Sequence, residues 1–294
     1  INLKTLKTPD MVTVYFIAAS VIILLILLIR KPVVSHALVF IYVGFLGALC
    51  VSESSHYDNP AGDFFKADAL GVLLLFVTLI ISFFSAIHYA VYAQKRLQAS
   101  GIVAVHNASF VVFATAISGV FLSTHIGMLW AFLEASTLSG AALIYHDRDK
   151  LSLEATWKYL FVSSIGVTLG FAGIMFLSIA AHNTPNYIND LVRVAPDMNL
   201  GWIKTSFIFV LAGFSVKMGI VPLFTIDIDA KDSSPSPIGA MFSGPLMSVG
   251  FVAIYRFYQI YAHTSILAWM NHVLLLTGVL SLFLAAVFIL KTNN

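Results

Sequence analysis

The chain reads as long apolar stretches separated by short polar breaks. Nine such stretches follow one another, over residues 11–29, 33–51, 68–92, 102–122, 124–145, 156–181, 205–225, 238–261 and 266–290. Each has about the twenty residues that a helix needs to cross roughly 30 Å of hydrocarbon. No backbone group can stay unpaired in lipid, so each stretch is expected to be helical. The predicted fold is all-α: a polytopic transmembrane helical bundle of about nine spans. The longest connections, residues 52–67 and 182–204, are too short for a soluble domain.

Composition agrees. The 294 residues are 59% hydrophobic and 10% charged, with mean hydropathy +0.92. Soluble domains carry about 25% charged residues. A net charge of +2 is too small to imply nucleic acid as a partner. The single cysteine, Cys50, lies inside an apolar run. It cannot build a disulfide framework, a zinc site or an iron–sulfur cluster, and reads as membrane packing. The first apolar run is too long for a signal-peptide core and lacks a small-residue cleavage site. The chain begins at Ile1, so a fragment or a processed product is expected.

The loops carry an orientation signal. Alternate crossing puts Arg30, Lys31, Lys95, Arg96, Arg148, Lys150, Lys231 and Lys291 on one face. Lys4, Lys7, Lys66, Arg193 and Lys204 fall on the other. The richer face is expected to be cytoplasmic, with the N-terminus outside an inner membrane.

Few ionisable groups lie inside the spans. Glu134 stands in the middle of "MLWAFLEASTLSG", and Lys217 near the middle of the seventh span. Lys158 lies near the cytoplasmic start of the sixth span. Arg256 lies near the outer end of the eighth, where its head can snorkel to the interface. A lysine at a helix centre costs about 2.5–3.5 kcal/mol on insertion scales, so these side chains should face the bundle interior. They read either as a structural ion pair that orients helices or as an ion relay. The relay is preferred, because charge inside a membrane marks pathways by default.

Local breaks sharpen that reading. Lys217 occurs in "SVKMGIVPLF", five residues before Pro222. Proline removes the partner of the Met218 carbonyl, and Gly219 weakens the same turn. A broken seventh helix is expected beside the buried lysine, since irregular backbone is tolerated where it lines a wet cavity. In "SPSPIGAMFSGPLMSVGF", Pro235, Pro237 and Pro245 make the start of the eighth span irregular. Ser243, Gly244 and Ser248 there suit close packing or a hydrated path. Gly166 and Gly170 form a GxxxG pattern in the sixth span, which reads as close helix packing. His88 and His106 lie near the cytoplasmic ends of their spans, and His125 on the other face. Each suits a hydrogen-bonded interfacial role or the loading of protons into a relay. "YHDRDK", residues 145–150, reads as a solvated turn. No metal-ligand spacing, nucleophile–base arrangement or phosphate loop stands out, so no redox centre and no cofactor are expected in this chain.

These motifs resemble a family. "LWAFLEASTLSG" followed by "LEATWKYLFVSSIGVTL" is similar to the proton-translocating antiporter-like membrane subunits. Those occur in respiratory complex I, in membrane-bound group 4 hydrogenases and in multisubunit cation/proton antiporters. "FSVKMGIVPLFTIDIDAKDSSPSPIGAMFSG" resembles the family signature of the seventh and eighth helices, and "FKADALGVLLLFV" the third. "SLEATWKYL" resembles the hydrogenase-4 component F type. The likeness runs from about Phe65 to the end, which implies a helical pair over 1–64 and an antiporter-like domain over 65–294. It implies that Glu134 pairs with Lys217, and that Lys158 is the family's sixth-helix lysine.

The sequence also departs from the family. Phe224 and Ile226 stand where a histidine and a tryptophan are usual, and Ser248 where many members have a lysine or histidine. Members usually have about fourteen helices in two inverted repeats, whereas this chain stops at Asn294 after its ninth span. A truncated chain or a half-size relative is expected.

The resemblance implies a proton-conducting subunit of a redox-driven complex. Its partners would be other membrane subunits and a peripheral redox or transport module that carries any enzyme activity. A proton would pass His106 and Lys158 to Lys217, whose affinity burial and Glu134 together set. The alternatives are a non-transporting scaffold and a membrane subunit of a cation/proton antiporter or an inorganic-carbon uptake complex. Sodium is the alternative ion.

Overall fold

The computed structural model describes residues 10–55, 64–182, 184–224 and 226–291, without the side chains of residues 226 and 227. Among them, nine helical segments are long and apolar enough to cross a membrane. The first six are α1 (Met11–Ile29), α2 (Pro32–Ser54), α3 (Ala69–Lys95), α4 (Ser100–Leu122), α5 (Ile126–Ile144) and α6 (Lys150–Ala180). A short α7 (Ile188–Val194) and a 3-10 turn (Ala195–Asp197) interrupt the connection expected over 182–204. The seventh crossing is α8 (Leu200–Met218), followed by the short α9 (Ile226–Ser233). The eighth is α10 (Ser236–Met241) joined through a π-helical turn to α11 (Met247–Tyr261). The ninth is α12 (Leu267–Lys291).

Polar caps, rather than the onset of hydrophobicity, set the starts of α3, α5, α6 and α8. Asp149 accepts from the Ser152 backbone at 2.7 Å, while the Ser152 hydroxyl meets the Asp149 amide at 3.1 Å. This capping box starts α6 six residues before the expected 156. Asp149 of the expected solvated turn is therefore a cap. Asn199 accepts from the amides of Gly201 and Trp202, which starts α8 five residues before the expected 205. His125 accepts from Gly127 at 3.1 Å and caps α5, as an interfacial histidine should.

α4 is the most enclosed crossing, and lipid-facing positions such as Leu28, Phe84, Phe161 and Leu282 stay exposed. Cys50 is fully buried, in keeping with membrane packing. The tightest seam joins α6 to α8. A Cβ on Gly166 would stand 2.7 Å from the Gly213 carbonyl, and one on Gly213 only 2.3 Å from the Gly170 amide. The expected small-residue packing is present and has a facing glycine of its own.

The seventh crossing breaks earlier than the proline implied. α8 stops at Met218, where Gly219 turns left-handed at φ 69°. The amides of Gly219 and Ile220 both return to the Ser215 carbonyl, so a glycine cap ends the helix before Pro222 is reached. The Val221 amide then donates to Ser281 Oγ of α12 at 3.0 Å. A neighbouring span thus satisfies the backbone freed by the break. In the eighth crossing the irregular start is a π-helical turn, Phe242–Leu246, with Pro245 inside it.

Candidate functional site

The glycine seam aims two side chains at each other. Lys217 lies one turn beyond Gly213 on α8, and Tyr159 two turns before Gly166 on α6, so both share the seam's face. Lys217 is 3% exposed, and its Nζ donates to the Tyr159 hydroxyl at 3.0 Å. The ammonium also stands 5.1 Å from the Tyr159 ring centroid. Gly140 of α5 makes room there: a Cβ would meet the Tyr159 hydroxyl at 3.0 Å and the rings of Phe113 and Phe242 just beyond. Gly250 of α11 backs the lysine itself. A Cβ on Gly250 would stand 2.6 Å from the Met218 amide and 2.8 Å from the Lys217 carbonyl carbon.

Lys217 was expected mid-helix. It occupies the last turn of α8, because the helix both starts and stops early. The carbonyl end of a helix favours a cation, so the break helps hold the ammonium.

Glu134 of α5 approaches α6, the helix of Tyr159. Its Oε1 accepts from the Ser164 hydroxyl at 3.3 Å. Ser164 lies five residues beyond Tyr159 on α6, about 7.5 Å along the axis. One helix therefore carries a contact of each charge, at different depths. Trp130 Nε1 donates to the Val167 carbonyl at 3.1 Å and ties α5 to α6 at this level.

Lys158 lies apart from Lys217 and Tyr159. One residue is about 100° around a helix, so Lys158 faces away from the seam that Tyr159 joins. Its side chain is 52% exposed and pairs with Glu154 at 2.8 Å and Asp229 at 3.2 Å. It ties α6 to α9 after the break. Ser248 donates to the Gly244 carbonyl of its own helix at 3.0 Å. His106 has different neighbours again, near the start of α4, where it stacks on Tyr89. Tyr159, the residue that sequence reasoning missed, sits next to Lys158. The seven-residue step from Tyr159 to Gly166 was the available signal.

Arg256 does not snorkel freely. It is 5% exposed and makes a bidentate pair with Asp68, at 2.7 and 2.8 Å. Asp68 also caps α3 through the Gly71 amide at 2.9 Å. Burial pushes the Asp68 carboxyl up, but the hydrogen bonds and charge of Arg256 outweigh it and hold it below the usual carboxylate range. A depressed carboxylate stabilises the fold above its unfolded value of about 3.9 and stops doing so as pH falls through the folded one. Asp68→Asn should therefore lower thermal stability at pH 7, by about 1 kcal/mol once the 38% exposure of the carboxylate is allowed for. The gap to wild type should close as the solution is acidified through the carboxylate range. Identical melting of the two proteins in detergent at pH 7 would mean that the pair contributes nothing.

Among the described residues, no group of three or more His, Cys, Asp or Glu side chains is placed to hold a metal ion.

The fold and this site define a polytopic membrane subunit built around a broken helix and a buried lysine. The family model described as "NADH:quinone oxidoreductase/Mrp antiporter, TM" matches residues 123–294, and the chain belongs to that family. It is 27% identical over 228 residues to a hydrogenase-4 component F homolog of Methylacidiphilum infernorum, covering 74% of this chain and 47% of that protein. It is 25% identical over 228 residues to a Na(+)/H(+) antiporter subunit of Bacillus subtilis, covering 75% and 45%. The fold is shared with a chain of the membrane-bound sulfane sulfur reductase, an archaeal respiratory membrane complex. There the TM-score is 0.77 at 20% identity, over 92% of this chain and 56% of that one. A chain of respiratory complex I from Thermus thermophilus gives 0.69 at 15% identity, over 84% and 53%. The chain spans about half the length of the relatives it matches.

Proposed function

We propose that this chain is a proton-conducting membrane subunit of a redox-driven complex of the NADH:quinone oxidoreductase or membrane hydrogenase kind, with Lys217 as its proton carrier. The observation that supports this best is a buried ammonium on a tyrosine hydroxyl, at the end of a broken helix. Burial, the Tyr159 hydroxyl, the carbonyl end of α8 and the charge of Glu134 act together on its proton affinity. A change in any one of them, driven by a partner subunit, would load or release the proton. Pro222 and Gly219 let the backbone beside the lysine rearrange without unwinding a continuous helix. Lys158, paired with Asp229, would report movement of α9 to α6. Ser248 would offer a hydroxyl on the way past α11.

A membrane subunit of a cation/proton antiporter is the second reading, favoured by the likeness to the Na(+)/H(+) antiporter protein of Bacillus subtilis. In either case the partners are other membrane subunits. The test is ion translocation by the assembled complex in proteoliposomes. Wild-type stoichiometry in a Lys217→Ala complex that assembles normally would make the chain a scaffold.

The face bearing Arg30, Lys95 and Arg148 is the cytoplasmic one in this reading. A cysteine replacing Ser55 should then react with an impermeant thiol reagent added outside, and one replacing Lys95 only after the inner face is opened. Reversed labelling would invert the topology.

A further inference from the structure

Three histidines from separate parts of the chain converge at the end of the bundle that carries Arg96 and Arg148. His36 comes from the start of α2, His106 from the start of α4, and His146 from the turn after α5. Tyr89 of α3 touches all three. Its ring stacks on His106 at 3.4 Å, tilts against His36 at 5.8 Å and meets His146 edge-on at 5.5 Å. His106 and His146 lie 4.7 Å apart with their planes at 70°.

Amides hold the two outer rings. Asn107 Nδ2 meets His36 Nδ1 at 3.2 Å, and Gln98 Nε2 meets His146 Nε2 at 2.7 Å. The Tyr89 hydroxyl donates to Gln98 Oε1 at 3.1 Å, so the NH2 of that amide faces His146. His146 must then present a bare nitrogen. His106, between them, is 2% exposed. Neither of its ring nitrogens has a hydrogen-bond partner among the described residues. A buried imidazole left unbonded on both sides is costly and calls for a reason. Beside it opens a cavity of about 10 Å³, with His36, Ser85, Tyr89, His106 and Asn107 on its polar side and apolar side chains on the other, and room for about one water.

The charged rim is defined. Arg96 lies over the Tyr92 ring at 4.8 Å and pairs with Asp147 at 3.5 Å, and Arg148 follows directly. Burial lowers the proton affinity of His146, Asp147 opposes that, and Arg148 and Arg96 reinforce it. α10 meets α3 here through Ser85 and the Pro237 carbonyl, and has no titratable residue of its own.

We propose that His36, His106 and His146 form a proton-loading site, separate from Lys217, in which His106 passes protons inward from the charged rim. A ring nitrogen gains an N–H bond as a hydronium at the rim loses an O–H bond and becomes water, and in the next transfer that N–H bond breaks as the next imidazole nitrogen or water takes the proton. No electron moves. The proposal rests on the proton-conducting reading above.

Two measurements test it. The first is a pH titration of the ¹⁵N-labelled histidines of the full chain in lipid nanodiscs. His106→Gln should move the His146 midpoint by about one pH unit, because neighbouring imidazoles titrate as a coupled set. An unmoved midpoint would overturn the site, whatever the chain transports. The second is proton translocation by the assembled complex against pH on the charged-rim side. His106→Gln should slow it about tenfold at pH 8 but less than about twofold at pH 6, where protons are abundant enough to bypass a histidine. His146→Gln, in the turn after α5, should give the same profile if His106→Gln fails to assemble. An equal loss at every pH would make the cluster structural and overturn the proposal. Normal transport by a Lys217→Arg complex in the same vesicles would instead remove the conduction reading, leaving the titration to decide whether the histidines are coupled.

Discussion

Lys217→Arg stops ion translocation in a complex that assembles normally, although it keeps the charge. A proton carrier must change protonation during each cycle, and arginine does not give up its proton in proteins. Lysine does so readily when its surroundings are tuned. The expected loss is about a hundredfold or more, the scale on which positioned proton-transfer groups act. Lys217→Ala should lose as much. A structural strut predicts the opposite for arginine, because its fork could still reach the Tyr159 hydroxyl. The larger head must fit between Tyr159 and the α11 backbone at Gly250, so assembly has to be scored separately by co-purification. Proton uptake by proteoliposomes, normalised to assembled complex, is the deciding measurement. Wild-type uptake by Lys217→Arg would mean that the lysine holds the broken helix in place and carries nothing.

Glu134→Gln should slow translocation by about ten- to thirtyfold while leaving the fold intact. Glutamine keeps the shape, and its carbonyl oxygen can still accept from Ser164. Only the negative charge is lost. The contacts of Glu134 and Lys217 on α6 are offset by about 7.5 Å along the axis. Two charges that far apart interact by up to about 2 kcal/mol at an effective dielectric constant of about 20, or roughly thirtyfold in proton affinity. That is large enough to tune a carrier and too small to abolish it, so a partial loss is expected. An unchanged rate and stoichiometry would show that the carboxylate is not coupled to the lysine. Total loss would point to a direct proton-transfer role for Glu134.

The nine crossings were legible in the sequence because bilayer thickness imposes their length and the cost of unpaired backbone imposes their helicity. Glu134 and Lys217 were legible for a related reason: charge in hydrocarbon is costly enough to stand out wherever it occurs. The break after Lys217 was legible too, although Gly219 ends the helix rather than Pro222. The starts of α6 and α8 were missed. A capping group such as Asp149 or Asn199 lies in polar sequence, where hydropathy carries no signal.

Tertiary structure decided what each side chain faces. Lys158 and Tyr159 are neighbours in sequence, yet one pairs with Asp229 at the surface and the other with buried Lys217. Hydrophobicity could not separate them, because α6 has almost no amphipathic bias, and the glycine seam against α8, with the contacts to α5 and α9, sets its rotation. Arg256 meets a partner 188 residues away, and His36, His106 and His146 come together from three parts of the chain. In a membrane the lipid rewards every apolar face alike. Hydrophobicity therefore determines that a helix crosses but not which way it turns, and close contact between helices supplies the rest.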